Sequence, residues 1–430
     1  MNSYLPKEKE ELTELIKLRR MFHQNPEIGF TEFWTTARIC EYLEPLSCQL
    51  LYGDKLKAAL LEPDLLTARQ NQLAYKVATE KGISDPWIEK LQGITGLVAI
   101  IKGKKPGPKF GFRVDIDGLP IVESTENAHL PYREGFASSN GFMHACGHDG
   151  HMAIGMGLAK RLAAAADKLN GEYYFLFQPA EEMIMGGKIF STLNFIEDLN
   201  YFIPVHIGLK SERKIICGLS FLADKRYHVS FTGNSAHAAA FPEKGKNALL
   251  AACQAVTGLY GISRHSEGYS RINIGCFQSN NAVNIISDKV EFDLDLRGQF
   301  NNINEYLATQ AENIIIGAAK MQDVQCSINV VTEGESADNS PALMLQIRKA
   351  CLDIGIPEKD IMDHYLISAS EDACIIMNKV AKNGGLATYV CIGCPTYGGH
   401  HNEKFDFDED VLLAGVKILY QFVQNTQEKQ

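Results

Sequence analysis

The stretch His144-Ala-Cys-Gly-His-Asp-Gly-His151 gathers three histidines, a cysteine and an aspartate within eight residues. Thiolate sulfur and imidazole nitrogen together suit zinc and are acceptable to manganese or cobalt. Glycines on both sides of His148 let the chain turn tightly, and the apolar run from Met152 reads as a helix beginning just after Asp149. Cys146 and His148 then lie on a loop entering a helix N-terminus, where free amides favour a thiolate. Asp149 reads as the helix cap or as a partner that supports the ligands from behind. Capping explains neither Cys146 nor His148, and a metal is the better reason for those two.

Two carboxylates follow the strand-like run Tyr173 to Phe177, in Gln178-Pro-Ala-Glu-Glu182. Open α/β sheets place their sites beyond the carboxyl ends of strands. Adjacent residues point in different directions, so Glu182 can ligate a metal while Glu181 handles a proton, the division that metal-assisted hydrolysis requires. A Glu-Glu pair by itself is more often a solvated helix start. His206 ends the run Tyr201 to Val205, and His401 follows Gly398-Gly399 beyond the run Ala387 to Ile392. A lone histidine is commonly a satisfied polar residue, and the shared placement at strand ends is what singles these out. Cys146, His148, Glu182, His206 and His401 would meet at one rim of a parallel sheet, enough ligands for two ions with a bridge between them. His237 in Gly233-Asn-Ser-Ala-His-Ala-Ala-Ala, Asn284 and the strand-ending Arg297 could stabilise an oxyanion or hold a carboxylate, although spacing alone does not pick them.

These residues need a scaffold, and the sequence supplies an α/β one. Short apolar runs at 96–101, 110–115, 173–177, 201–206 and 387–392 alternate with helical segments at 12–43 and 152–169, with a polar, helix-compatible stretch from Lys55 to Leu91. Between Ala223 and Glu333 the rhythm becomes β-α-β-β-α-β, a ferredoxin-like domain inserted into the larger one. The expected division is residues 1–222 plus 334–430 for a catalytic domain and 223–333 for the insert.

The composition narrows the partners. With 430 residues, 45% apolar and 22% charged, the chain is that of a globular protein with a large core. A formal net charge of −10 offers no electrostatic footprint for nucleic acid or an anionic membrane, so a small molecule is the expected partner. No apolar run approaches the roughly 18 residues that span a bilayer. The charged N-terminal segment does not read as a secretory signal, and eleven scattered cysteines fit reduced thiols in the cytoplasm. The single CxxC, Cys391 to Cys394, lacks a second pair or a following helix and reads as structural.

Phe112-Arg-Val-Asp-Ile-Asp-Gly-Leu-Pro120, His144 to His151, Phe177-Gln-Pro-Ala-Glu-Glu182, Ala236-His-Ala-Ala and His401-Asn-Glu-Lys-Phe-Asp-Phe407 occur in the order seen in a known family. Across nearly its whole length the chain resembles the aminoacylase/carboxypeptidase family of dinuclear-metal amidohydrolases, peptidase family M20, in its cysteine-bearing branch. The resemblance implies a metallopeptidase catalytic domain with a ferredoxin-like dimerisation insert. It also implies two divalent ions per subunit, Mn or Zn, held by Cys146 as bridging thiolate with His148, Glu182, His206 and His401. Glu181 would be the general acid/base. His237 would reach into a partner subunit's site, implying a homodimer, with a related second subunit as the alternative, and Asn284 and Arg297 would bind substrate carbonyl and carboxylate. The implied reaction is hydrolysis of the amide of an N-acyl amino acid or an aminobenzoyl-glutamate-like conjugate. Arg113 stands where the wider family has the first histidine of HxD, as in the cysteine-bearing branch, and Pro242 precedes Glu243 where the family usually has Pro-His. Rival readings are a dipeptidase of the same family, a binding homologue that has lost hydrolysis, and a cysteine hydrolase using Cys146 with a histidine base.

Overall fold

A computed structural model of the chain describes residues 6–427 apart from 57–75, 77, 81, 83, 84, 211 and 280. It divides into two compact units: Met1–Ser220 with Asp338–Ile367 and Ile375–Gln430, and Phe221–Ala337 with Ser368–Cys374.

The first unit is built on a mixed nine-stranded sheet. Its path runs Gln49–Leu51, Leu97–Lys102, Asn170–Gln178, Lys105–Asp115, Tyr201–Ile207, Val390–Ile392, Ile215–Ile216 and Ile361–Met362, and Leu386–Ala387 also pairs with Tyr201–Ile207. The four strands from Asn170–Gln178 to Val390–Ile392 are mutually parallel, so their carboxyl ends share one rim. Phe110, Phe112, Val114, Phe175, Phe177, Ile203 and Val205 are all buried, as expected of strands covered on both faces. Helix His148–Ala165 packs on this sheet and against the helices Pro6–His23 and Val411–Gln427.

Three local features depart from the sequence reading. The segment 12–43 is two helices, Pro6–His23 and Phe33–Leu43, because Pro26 cannot continue the ladder and Phe30 adopts φ 64. The run 387–392 is split into Leu386–Ala387 and Val390–Ile392, with Thr388 between them donating its hydroxyl to the Cys217 carbonyl at 2.6 Å. The helix after the His/Cys cluster begins at His148, and Gly147 holds the cap position at φ 93, a left-handed conformation that favours glycine. Asp149 is therefore not the cap but a residue of the first turn. Most of the stretch Lys55 to Leu91 lies outside the described residues, and its end, Asp85–Leu91, is helical.

The second unit carries a four-stranded antiparallel sheet in the order Gln325–Gly334, Ala223–Thr232, Lys289–Gly298, Ser270–Gln278. Strict alternation buries Val290, Phe292, Leu294 and Leu296 against the helices Ala248–Tyr260 and Asn301–Met321, the ferredoxin-like arrangement. The short return Ser368–Cys374 has no signal in the sequence. Among the described residues no helix is long and apolar enough to cross a membrane.

Candidate metal centre

The rim of the first unit assembles the candidate ligands from three strand ends and one helix start. Strand Lys105–Asp115 continues to Asp117, whose carbonyl accepts the Nδ1–H of His148 at 2.8 Å. In the neutral ring that bond selects the Nδ1–H tautomer, and metal binding would displace the proton that remains on Nε2. His206, on strand Tyr201–Ile207, donates Nδ1–H to the Ile207 carbonyl at 2.8 Å, which selects the same tautomer. After strand Asn170–Gln178 the chain turns through Ala180 at φ 55, and the Glu182 amide is held by Asp117 Oδ2 at 3.0 Å. His401, at φ 58, donates its amide to the Ala145 carbonyl at 2.8 Å and so is tied to the loop that bears Cys146.

The donor atoms converge. Cys146 Sγ lies 3.6 Å from His206 Nε2, His148 Nε2 lies 3.8 Å from Glu182 Oε1, and Glu182 Oε2 lies 3.3 Å from His401 Nε2. Tetrahedral ligands about 2.0–2.3 Å from one ion stand roughly 3.3–3.8 Å from each other. Two three-residue groups with metal-ligand spacing, Cys146/His148/His206 and Cys146/Glu182/His401, share Cys146. Among the described residues, buried His148 Nε2, Glu182 Oε1 and Asp117 Oδ1 have no hydrogen-bond partner. Orphaned atoms of this kind are costly unless something binds them, and the donor set fits divalent metal. Glu181 belongs to the same cluster, with Oε2 3.7 Å from His148 Nε2.

Electrostatics agree. Burial pulls the His148 imidazole down, but Asp115, Asp117 and Glu182 outweigh it and push its pKa up to about 10, the mark of a pocket that attracts a cation. Burial, with His151 nearby, drives His206 well below its ordinary value, so it is neutral, as a ligand must be. The Glu182 carboxylate draws the His401 pKa upward. His151 is used on both nitrogens: Nδ1 meets Asp115 at 2.5 Å and Nε2 accepts the Ile207 amide at 2.8 Å. Burial pulls His144 down to about 4. Cys391 and Cys394 are buried free thiols, each pushed up to about 12 by burial, which suits packing rather than redox chemistry.

Behind the ligands lies a buried polar network that the sequence did not suggest. Asp149 Oδ2 accepts from Arg19 Nε and faces His23 Nδ1, both at 2.8 Å, while Arg19 Nη2 reaches Asp406 at 2.7 Å and His23 Nε2 reaches Glu123 at 2.9 Å. Arg113 bonds Gln178 at 2.9 Å and Asp115 at 2.7 Å. Glu32, pushed well above the usual carboxylate range by burial and by Asp117, accepts the Ala180 amide at 2.9 Å and so braces the turn before Glu181. One signal was available: Arg19 falls in the apolar stripe Leu12, Leu15, Arg19, Phe22 of the first helix.

The remaining sequence-chosen residues lie in the second unit. His237 and Asn284 are exposed and adjacent, since the Ala238 amide bonds the Asn284 carbonyl at 3.0 Å and His237 bridges Ile285. His237 Nδ1 accepts the Ala239 and Ala240 amides at 3.2 and 3.1 Å, which leaves Nε2–H as an outward donor in the neutral ring. Arg297 is near the other end of strand Lys289–Gly298, its guanidinium engaged with Asp295 at 3.0 Å and Ser370 at 2.8 Å.

Similar proteins carry the same scaffold. The chain is 38% identical over 421 residues to a p-aminobenzoyl-glutamate hydrolase homolog of Haemophilus influenzae, covering 96% of this chain and 98% of the relative. It is 37% identical over 426 residues to the indole-3-acetyl-aspartic acid hydrolase of Enterobacter agglomerans, covering 97% and 96%. The crystal structure of the aminobenzoyl-glutamate utilization protein from Klebsiella pneumoniae superposes with a TM-score of 0.78 at 30% identity, covering 97% of each chain. Residues 111–425 match the description of peptidase family M20/M25/M40. With relatives named as hydrolases of p-aminobenzoyl-glutamate and of indole-3-acetyl-aspartic acid, and a donor set that fits divalent metal, the chain belongs to peptidase family M20/M25/M40 and is a metal-dependent amide hydrolase.

Proposed function

We propose that the substrate is an amino acid acylated on nitrogen, of the aminobenzoyl-glutamate or indole-acetyl-aspartate type, and that two ions, Mn or Zn, are held by Cys146, His148, Glu182, His206 and His401. The observation that carries this reading is the pair of ligand groups sharing Cys146 with Glu181 beside them. When bound, the ions supply Lewis-acid polarisation of the amide carbonyl and lower the pKa of water. Glu181 takes the proton of the attacking water and returns it to the leaving nitrogen. His237 donates Nε2–H to the oxyanion, Asn284 orients the carbonyl and Arg297 receives the substrate carboxylate. The chain works as a homodimer through its second unit or beside a related second subunit. Eleven thiols with no disulfide suit the reducing cytoplasm.

Glu181→Gln tests the reading. It should retain bound metal, measured by elemental analysis, while kcat on an N-acyl amino acid falls by about 10²–10⁴-fold. Near-normal turnover overturns the role of Glu181. The 3.6 Å contact between Cys146 and His206 favours a second reading, a thiol–imidazole nucleophile. The depressed His206 pKa opposes it, because the imidazole must be basic enough to take the thiol proton. Activity that survives a chelator but not a thiol alkylating agent would revive it.

A further inference from the structure

Outside the ligand cluster, the first unit contains a cleft of about 420 Å³ lined by Glu126, Ala128, His129, Leu130, Arg133, Tyr397, Gly398, Lys404 and Asp406. Most of its charges are already matched. Lys404 pairs with Glu126 at 2.9 Å, Asp406 with Arg19 at 2.7 Å, and His129 Nε2 lies 2.8 Å from Glu123. Arg133 is the exception. Among the described residues its guanidinium has no hydrogen-bond or ion-pair partner, and the neighbouring Glu134 is taken by Arg20 at 2.8 Å. An exposed, unmatched guanidinium in a concave site, opposite the exposed ring of Tyr397, calls for a planar anion that can accept a forked pair of hydrogen bonds.

The cleft adjoins the metal centre through one loop. Gly398 sits at φ 74 with its Cα so close to the Lys404 backbone that a Cβ would come within 2.5 Å of the Lys404 carbonyl carbon, which closes the base of the loop. The tip of that loop carries His401. Three peptide links separate His401 from either side of the base, so the cleft wall lies within about 10 Å of a candidate ligand.

We propose that this cleft is the subsite for the side-chain carboxylate of the substrate's amino acid, and that Arg133 selects acidic over neutral conjugates. The proposal rests on the amide-hydrolase reading above. Its test compares N-benzoyl-glutamate with N-benzoyl-glutamine, which differ only in the side-chain charge, on the metal-loaded full-length protein and its Arg133→Gln and Arg133→Lys variants. The ratio of kcat/KM for the glutamate over the glutamine substrate should fall about tenfold in Arg133→Gln, through KM, and recover in part in Arg133→Lys. An unchanged ratio overturns the proposal, including the case in which both substrates weaken equally. Calorimetric binding of glutarate to the same three proteins separates the two readings. Glutarate bound by the natural protein and lost in Arg133→Gln supports the subsite even where neither conjugate is hydrolysed, an outcome that would count against the amide-hydrolase reading alone. Equal glutarate binding by all three proteins counts against the subsite.

Discussion

The two units hold their chemistry-bearing residues in opposite ways. In the first, five candidate ligands come from segments as distant as Cys146 and His401, yet His148, Glu182, His206 and His401 are each fixed by a hydrogen bond to or from the backbone. In the second, His237 and Asn284 stand exposed on adjoining loops, and Arg297 lies toward the opposite end of a ten-residue strand. A metal centre needs lone pairs that converge before the ion arrives; buried His148 and His206 give that with their second nitrogens satisfied, while the exposed His401 is placed by its backbone amide. A contact to substrate can be made from a loop, because the substrate brings its own partner.

That contrast breaks first at His148. His148→Ala should lose bound metal and reduce kcat/KM by about a thousandfold or more, since it removes both the ligand and the group anchored on Asp117. Elemental analysis beside kinetics reads both effects. Full metal content in this variant would show that the cluster is not the metal centre.

The next effect concerns stability. Burial and Arg19 pull the His23 pKa down, but hydrogen bonds to Asp149 and Glu123 outweigh them and raise it to about 9. A folded value above the ordinary 6.5 means that the protonated ring stabilises the fold. That contribution is complete below pH 6.5 and is lost as pH rises to about 9, on the order of 3 kcal/mol in all. At saturating divalent metal, which would keep His148 unprotonated across this window, denaturant midpoints of the natural protein should therefore fall, and those of His23→Gln should fall much less. In the second unit the exposed pair His228–Asp293, at 2.8 Å, is screened by water and adds little to stability. A steep profile in His23→Gln would remove His23 as its source.

These residues also mark where the sequence stops being legible. Cys146, His148, Glu182, His206 and His401 could be chosen because ligand type and strand-end position are local properties. The partners of Asp149 were not legible, because Arg19 and His23 lie more than a hundred residues away and nothing near Asp149 announces them. Local pattern therefore suggested a cap. The cap went instead to Gly147, whose left-handed backbone starts the helix one residue before Asp149. The ferredoxin-like unit was legible from alternation in Lys289–Gly298, whereas the return Ser368–Cys374 was not, since it contributes no periodic element.

The smallest effect tests the loop side of the contrast. His237 accepts two backbone amides at Nδ1, so its neutral ring presents Nε2–H, the donor that an oxyanion requires. Because the side chain is exposed, its removal leaves no buried group unsatisfied and should not change the denaturant midpoint. His237→Ala should keep its metal and lose about ten- to a hundredfold in kcat, with part of that recovered in His237→Gln, which restores an N–H donor. Loss of metal in His237→Ala would place this loop within the metal site and end the contrast between the units. An unchanged kcat would remove His237 from the reaction and leave the first unit's rim to carry the chemistry unaided.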